Sequence, residues 1–161
     1  MSTTAQKQRT TGLETVLVAV GASDENRVDR IVEEAIDVAG PADATVVLAH
    51  VFSEEEYAEN RERLDFSRDS EATPDVVARR HSTLRELAKQ LEDAGVEYEV
   101  RGIVGDRGKA IVDLAGETEA DRVLVGGRKR SPTGKAVFGS TAQEVILSSP
   151  CPVTFVRADT E

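Results

Sequence analysis

The chain has 161 residues, with 30 acidic against 20 basic side chains and a formal net charge of −10. This length suits one ordinary domain, and the lone Cys151 cannot form an internal disulfide. Phosphate backbones and anionic lipids repel so acidic a chain, so we expect neither nucleic-acid nor membrane partners.

The beginning of the chain differs from the rest in its pattern. Residues 1–13 carry no periodic apolar spacing, so we expect a flexible N-terminal tail followed by a single domain over residues 14–161. The polar start lacks a signal-peptide core and no stretch is long enough to span a bilayer, which predicts a cytoplasmic protein. The acidic surplus resembles the composition of proteins from salt-loving organisms.

The first half of the chain predicts a strand, a helix and a second strand. The runs Thr15–Val20 and Thr45–Val51 are continuous, apolar and β-branched, which is typical of strands covered on both faces. Between them, apolar residues at 3.6-residue spacing predict a helix that Ser23 caps and Gly40 ends. This order is a βαβ unit with a parallel pair of strands.

The middle of the chain begins with a polar excursion. Residues 52–72 are crowded with charged side chains, so we expect an exposed segment that holds at most a short surface helix. Thr73 and Pro74 then form the start of a second core helix, which ends at Gly95. The alternating run Val96–Ile103 predicts a strand at a sheet edge.

The last third completes the pattern. We expect a helix after Gly105, a strand at Asp121–Val125, a helix at Ser140–Ser149 opened by an S-x-x-Q capping box, and a closing strand at Val153–Val156. Five strands alternating with four helices predict an α/β three-layer sandwich with a doubly wound, five-stranded parallel sheet in the order 3-2-1-4-5.

The loop after the fourth strand carries the clearest chemical signal. In such sheets ligands bind beyond the carboxyl ends of the strands, where strand order reverses. The loop begins at Gly126 and leads to Gly139, where a helix opens at Ser140 and Thr141 with amide and hydroxyl donors. From Arg122 to Lys135 there are five basic residues and no acidic one, so we predict a site for a phosphate-like anion. The spacing is not that of a Walker A motif.

Other chemistry-bearing residues do not form a pattern. His50, in an apolar strand, is typical of a hydrogen-bonded structural residue, and His81 falls on a charged helix face where we expect it to be solvated. No Cys/His cluster has metal-ligand spacing, and no Ser, His and acid set suggests a nucleophile. We therefore expect neither a metal site nor an enzyme.

The opening TVLVAV, the LAHV that ends strand two, the spacing from Gly126 to the Gly139-Ser140 pair and the closing CPVTFVR together resemble the universal stress protein family. The similarity runs from about Thr15 to Arg157. It implies a five-stranded parallel domain, a homodimer formed through the C-terminal strand, and, in one branch, ATP held by a G-x2-G-x9-G-[ST] loop.

The resemblance and the loop chemistry together give one set of candidate binding residues, with Val51 placed beside the adenine through its backbone. The candidates are Val20, Gly21, Val51, Val125, Gly126, Arg128, Lys129, Gly139, Ser140 and Thr141.

Two positions depart from the ATP-binding pattern. Lys129 stands where the second loop glycine is usual, and Gly21 where an aspartate usually ends strand one. Three functions thus stay open: a non-catalytic stress-response module that binds ATP or another adenine nucleotide, a dimer that binds no nucleotide and acts through protein partners, and a nucleotide α-hydrolase. The last usually carries an S-G-G-x-D-S-type loop after strand one, which Gly21 to Asp24 matches poorly.

A homodimer is expected on physical grounds as well. If Val153–Val156 is an outer strand, its backbone and apolar face need covering, and antiparallel pairing with a second copy would cover them.

Overall fold

The computed structural model describes residues 12–21, 28–63, 73–127 and 139–157. Most of the predicted tail, Ser23, and the loop from Arg128 to Phe138 lie outside the described residues. The elements are β1 (Thr15–Ala19), α1 (Val28–Ala39), β2 (Thr45–Phe52), α2 (Glu54–Arg63), α3 (Pro74–Arg79), α4 (Ser82–Asp93), β3 (Tyr98–Val104), α5 (Arg107–Glu117), β4 (Arg122–Gly127), α6 (Ser140–Ser148) and β5 (Val153–Arg157).

The five strands form one parallel sheet in the order β3-β2-β1-β4-β5, which confirms the predicted fold. β1 lies at the centre, where Val16 is paired with Val46 of β2 on one side and with Arg122 of β4 on the other. Val16 and Leu17 are 0% exposed, as a continuous apolar run covered on both faces requires.

Each face of the sheet carries its own apolar core. Alternate strand residues, such as Val18 and Leu48, pack with the apolar stripes of α1, α3 and α4 on one face. The intervening residues, such as Leu17 and Val47, pack against α5 and α6 on the other face. The three-layer sandwich follows from this alternation, with both cores built from branched aliphatic side chains.

The helix predicted from Pro74 to Gly95 is two helices, so the expected count of four core helices was wrong. α3 begins as predicted, with the Thr73 hydroxyl accepting from the Val76 amide, but it ends at Arg79. His81 then takes an extended conformation and caps α4. The chain turns here because α3 packs against β3 at the sheet edge, whereas Leu84, Leu87 and Leu91 of α4 are buried with α1.

The two edges of the sheet differ in how they are covered. At the β3 edge, the Gly102 amide donates to the Asp75 carboxylate at 2.7 Å, and Arg101 lies 3.8 Å from the same carboxylate. The Pro74 carbonyl sits where a side chain on Gly102 would lie, so only glycine fits there. α3 therefore occupies this edge. At the opposite edge, Val153, Thr154 and Phe155 of β5 are half-buried.

The segment predicted to be exposed holds a short helix. α2 has no buried residue and begins after Ser53, whose hydroxyl and amide exchange hydrogen bonds with Glu56, both at 3.0 Å. None of the helices in the described ranges is long and apolar enough to cross a membrane.

Candidate functional site

The candidate site lies where β1, β2 and β4 end, beside the point at which strand order reverses. Val20 and Gly21 directly follow β1, and Val51 is the penultimate residue of β2. Gly126 belongs to β4, where it is paired with Val156, and the strand continues to Gly127, so the prediction that a loop begins at Gly126 was wrong. Continued pairing with β5 keeps these two glycines in the sheet.

The ladder between β1 and β2 stops short at this edge. Val20 donates its amide to the Ala49 carbonyl at 2.8 Å, and beyond that bond no backbone hydrogen bond between described residues continues the ladder. In a parallel pair the next rung would join the Val51 amide to the Val20 carbonyl. The backbone N–H and C=O of Val51 therefore point toward the crevice beyond the end of β1.

On the β4 side of the crevice, a buried valine is followed by two glycines. Val125 is 3% exposed and pairs with Ala19 of β1. Gly126 and Gly127 follow without side chains, and the ring of Phe155 covers Gly127 from the α5 and α6 face of the sheet. The sheet thus presents bare backbone at the point where the chain leaves β4.

α6 begins at the same edge of the sheet, since it runs back antiparallel to the strands. Its N-cap is Gly139, not Ser140, and no side chain caps it, so the predicted capping box was wrong. The helix begins at Ser140 as predicted, but its N-cap lies one residue earlier, since the Gly139 carbonyl already accepts the Gln143 amide at 2.9 Å. The amides of Ser140, Thr141 and Ala142 precede that first intrahelical bond and favour an anion.

Space and coverage at the start of α6 also suit a ligand. A Cβ at Gly139 would meet no atom of the described residues within 4 Å, and Ser140 is exposed while Thr141 is half-buried. Arg128 and Lys129, the two cationic candidates, lie outside the described residues. The other eight candidates all lie at the ends of β1, β2 and β4 or in the first turn of α6.

A polar network adjoins this edge, and it confirms the prediction that His50 is a hydrogen-bonded structural residue. His50 is 3% exposed, its Nδ1 donates to the Val20 carbonyl at 2.8 Å, and its ring lies 4.8 Å from the ring of His81. His81 is half-buried and its Nδ1 accepts from the Thr83 amide at 3.3 Å, so the prediction of a solvated His81 was wrong. No glycine or proline near residue 81 indicates a break between two helices.

Burial lowers the pKa of His50 from its ordinary value, and electrostatic interactions with His81 and Arg107 lower it further. The bond to the Val20 carbonyl and the nearby Glu56 oppose this shift without reversing it. The ring is therefore neutral at physiological pH. Because a carbonyl oxygen only accepts, the proton of the neutral ring sits on Nδ1.

Glu56 connects this network to α5. Its carboxylate accepts from the Arg107 guanidinium at 2.7 Å. Burial raises the pKa of Glu56, but the Ser53 amide and the Arg107 guanidinium outweigh that effect and hold the pKa below its usual range. Glu56 is consequently ionised at neutral pH and fixes α2 against the start of α5.

A second concavity lies beside the crevice, between the carboxyl end of β3 and α5, where Ile103 is paired with Val51 of β2. It has a volume of about 280 Å³ and is lined by Ile103, Gly105, Leu114 and Lys109 among others. Lys109 already pairs with Asp113 at 3.1 Å. Within the described ranges no three His, Cys, Asp or Glu side chains are grouped so as to hold a metal ion.

Comparisons with known proteins agree on one family. The family model described as the universal stress protein family matches residues 12–157. A universal stress protein of Mycolicibacterium smegmatis is 32% identical over 88 residues, which span 54% of this chain and 68% of that protein.

Solved structures share the fold over nearly the whole chain. A universal stress protein in complex with cAMP is 25% identical, with a TM-score of 0.62, and the match covers 92% of this chain and 99% of that one. A universal stress protein from Archaeoglobus fulgidus is 29% identical, with a TM-score of 0.55 and coverage of 89% and 98%. The strand order, the end of the β1–β2 ladder and these matches lead to one conclusion: the chain belongs to the universal stress protein family.

Proposed function

We propose that this protein is a non-catalytic stress-response module that binds an adenine nucleotide at the carboxyl edge of β1, β2 and β4. The observation that carries the proposal is the early end of the β1–β2 ladder, which directs the backbone of Val51 into the crevice. The first amides of α6 open at the same edge, so one ligand can meet both.

The chemistry of adenine suits the Val51 backbone. An amide N–H beside a carbonyl matches a base edge that offers a ring-nitrogen acceptor next to an amino donor. The cAMP complex of a 25% identical family member supports an adenine nucleotide as the ligand class. Val20 and Val125 are buried in the two cores, so the sheet at this edge is apolar.

The phosphate group is assigned to the start of α6. Gly139 lets the ligand approach the backbone, and Ser140 and Thr141 add hydroxyl donors to their amides. Arg128 and Lys129 stay predicted contacts of the phosphates. ATP is the ligand that the loop resemblance implies, and we propose to test it beside AMP and cAMP.

We further propose a homodimer that pairs β5 with its copy. α3 blocks the β3 edge, whereas β5 keeps Val153, Thr154 and Phe155 half-buried at the other edge. Sedimentation at micromolar concentration should give twice the 17.4 kDa chain mass. A single species at the chain mass would remove this part of the proposal.

The free Cys151 is compatible with the cytoplasm as the compartment, which we also propose.

The ligand is tested on protein purified under native, high-salt conditions. After denaturation, mass spectrometry should identify an adenine nucleotide in near-stoichiometric amount, and calorimetry on the stripped protein should rank AMP, cAMP and ATP. Failure of all three to bind would favour the dimer that acts only through protein partners. Protein-dependent conversion of ATP to AMP and pyrophosphate would instead establish the enzyme alternative.

A further inference from the structure

His50 meets the backbone of β1 at the residue that borders the candidate site. Val20 is only 4% exposed, so its carbonyl is buried. The ring Nδ1 of His50 donates a hydrogen bond to this carbonyl at 2.8 Å. A buried carbonyl requires a hydrogen-bond partner, and here a side chain supplies it.

The geometry of the parallel strands shows which backbone donor the His50 side chain replaces. The backbone N–H and C=O groups of odd-numbered residues in β2 point toward β1, as shown by the bond from the Val20 amide to the Ala49 carbonyl. The backbone groups of even-numbered residues point toward β3, since the Val46 amide donates to the Glu97 carbonyl. The Val51 amide is therefore the backbone donor aligned with the Val20 carbonyl, yet within the described segments no such bond forms.

We infer that His50 is a positioning residue, which ends the β1–β2 ladder by satisfying the Val20 carbonyl and so leaves the Val51 amide available to the adenine base. The inference rests on the proposed nucleotide site and adds the side chain that prepares it. His50 itself does not touch the ligand, because it lies on the face of β2 that packs with α1, α3 and α4.

The surroundings hold the ring in the orientation that this role needs. Phe52 meets it edge-on with ring centroids 4.6 Å apart, and His81 lies against it at 4.8 Å. His81 uses its own Nδ1 to accept from Thr83, which fixes its position at the start of α4. Contacts with Phe52 and His81 therefore hold the His50 ring in one orientation.

Two substitutions separate the hydrogen bond from the packing. His50→Phe keeps a planar ring but removes the donor, while His50→Asn places an amide nitrogen at the position of Nδ1. In His50→Phe the Val20 carbonyl should recruit the Val51 amide, so hydrogen exchange of that amide should slow and AMP affinity should fall about five- to tenfold, the equivalent of one hydrogen bond. In His50→Asn both should return toward the wild-type values.

The experiment measures Val51 amide exchange by NMR in the ligand-free proteins and AMP affinity by calorimetry. Unchanged exchange in His50→Phe would overturn the ladder claim, and slowed exchange with unchanged affinity would overturn the role in binding. If the wild-type protein binds neither AMP nor cAMP, the proposed function fails, but the exchange data on ligand-free protein still decide whether His50 ends the ladder. Rescue by His50→Asn supports the inference, since a purely structural loss would not be restored by a smaller side chain.

Discussion

The ring of Phe155 on β5 occupies the space in which a side chain at Gly127 on β4 would lie. This contact joins the strand that we propose for dimerisation to the last residue of β4 before the candidate loop. Gly127→Ala should therefore force the ring to move and lower the free energy of unfolding by about 1–3 kcal/mol. Denaturant unfolding of the purified variant measures the change.

A matched control for this substitution lies in α5. Among the described residues, no atom lies within 4 Å of a Cβ at Gly116, so Gly116→Ala should leave stability unchanged or raise it by up to about 1 kcal/mol. Equal effects of the two alanines would show that the ring does not restrict Gly127. Phe155→Leu combined with Gly127→Ala should recover part of the loss, because the smaller side chain vacates that space.

The Asp75 carboxylate joins α3 to the backbone of the β3 edge, in addition to the packing of Val77 and Ala78. Asp75→Ala removes the acceptor of the Gly102 amide and should lower the free energy of unfolding by about 1–2 kcal/mol, a value reduced by the partial exposure of the pair. Asp93→Ala, which breaks only the exposed pair with Lys89, should change it by less than about 0.5 kcal/mol. Urea titration of both variants compares them, and similar losses would argue against a special role for Asp75.

Stability should fall in mild acid because His50 is buried as a neutral ring. Its lowered pKa means that the unfolded chain binds the proton more readily than the folded chain. The stabilisation is complete above about pH 6.5 and is lost as the pH falls from there toward the lowered pKa of the folded state. Unfolding free energies between pH 5 and pH 8 should show this slope, and His50→Asn should flatten it. An equal slope in the two proteins would assign it to other groups.

Gly139 offers a test of ligand approach that leaves the fold alone. Since no described residue lies within 4 Å of a Cβ at this position, Gly139→Val should fold with a cost of about 1 kcal/mol or less, that of a poorer N-cap, while the branched side chain blocks a phosphate at the α6 amides. We expect AMP affinity to fall at least tenfold by calorimetry. Gly116→Val, at the far end of α5, should bind as the wild type does, and unchanged affinity in Gly139→Val would exclude α6 as the phosphate site.

The sequence predicted the sheet because its strands carry a strong local signal. Continuous β-branched runs such as Thr15–Val20 are typical of strands buried on both faces, and the helical stripes between them predict the crossovers. The division at His81 carries no such signal. It arises because α3 packs on the β3 edge while Leu84 and its neighbours pack under the sheet, a choice that only the tertiary structure makes.

The candidate site was predictable in part for a similar reason. Glycine and hydroxyl residues at Gly126, Gly139 and Ser140 follow a spacing that sequence alone displays. The role proposed for Val51 came from resemblance, and the structural argument for it is the alternation of β2 combined with the early end of the ladder. The bond between His50 and Val20 joins residues 30 apart and depends on strand register, so no local pattern could reveal it.

The most direct test of the binding site is an NMR titration of the stripped protein with AMP, following each backbone amide. We predict the largest shifts at Val51, at Gly126 and Gly127, and at the first three residues of α6, with saturation at one nucleotide per chain. Shifts confined to the β3 and α5 concavity around Ile103 and Lys109, or no shifts at millimolar AMP, would contradict the account.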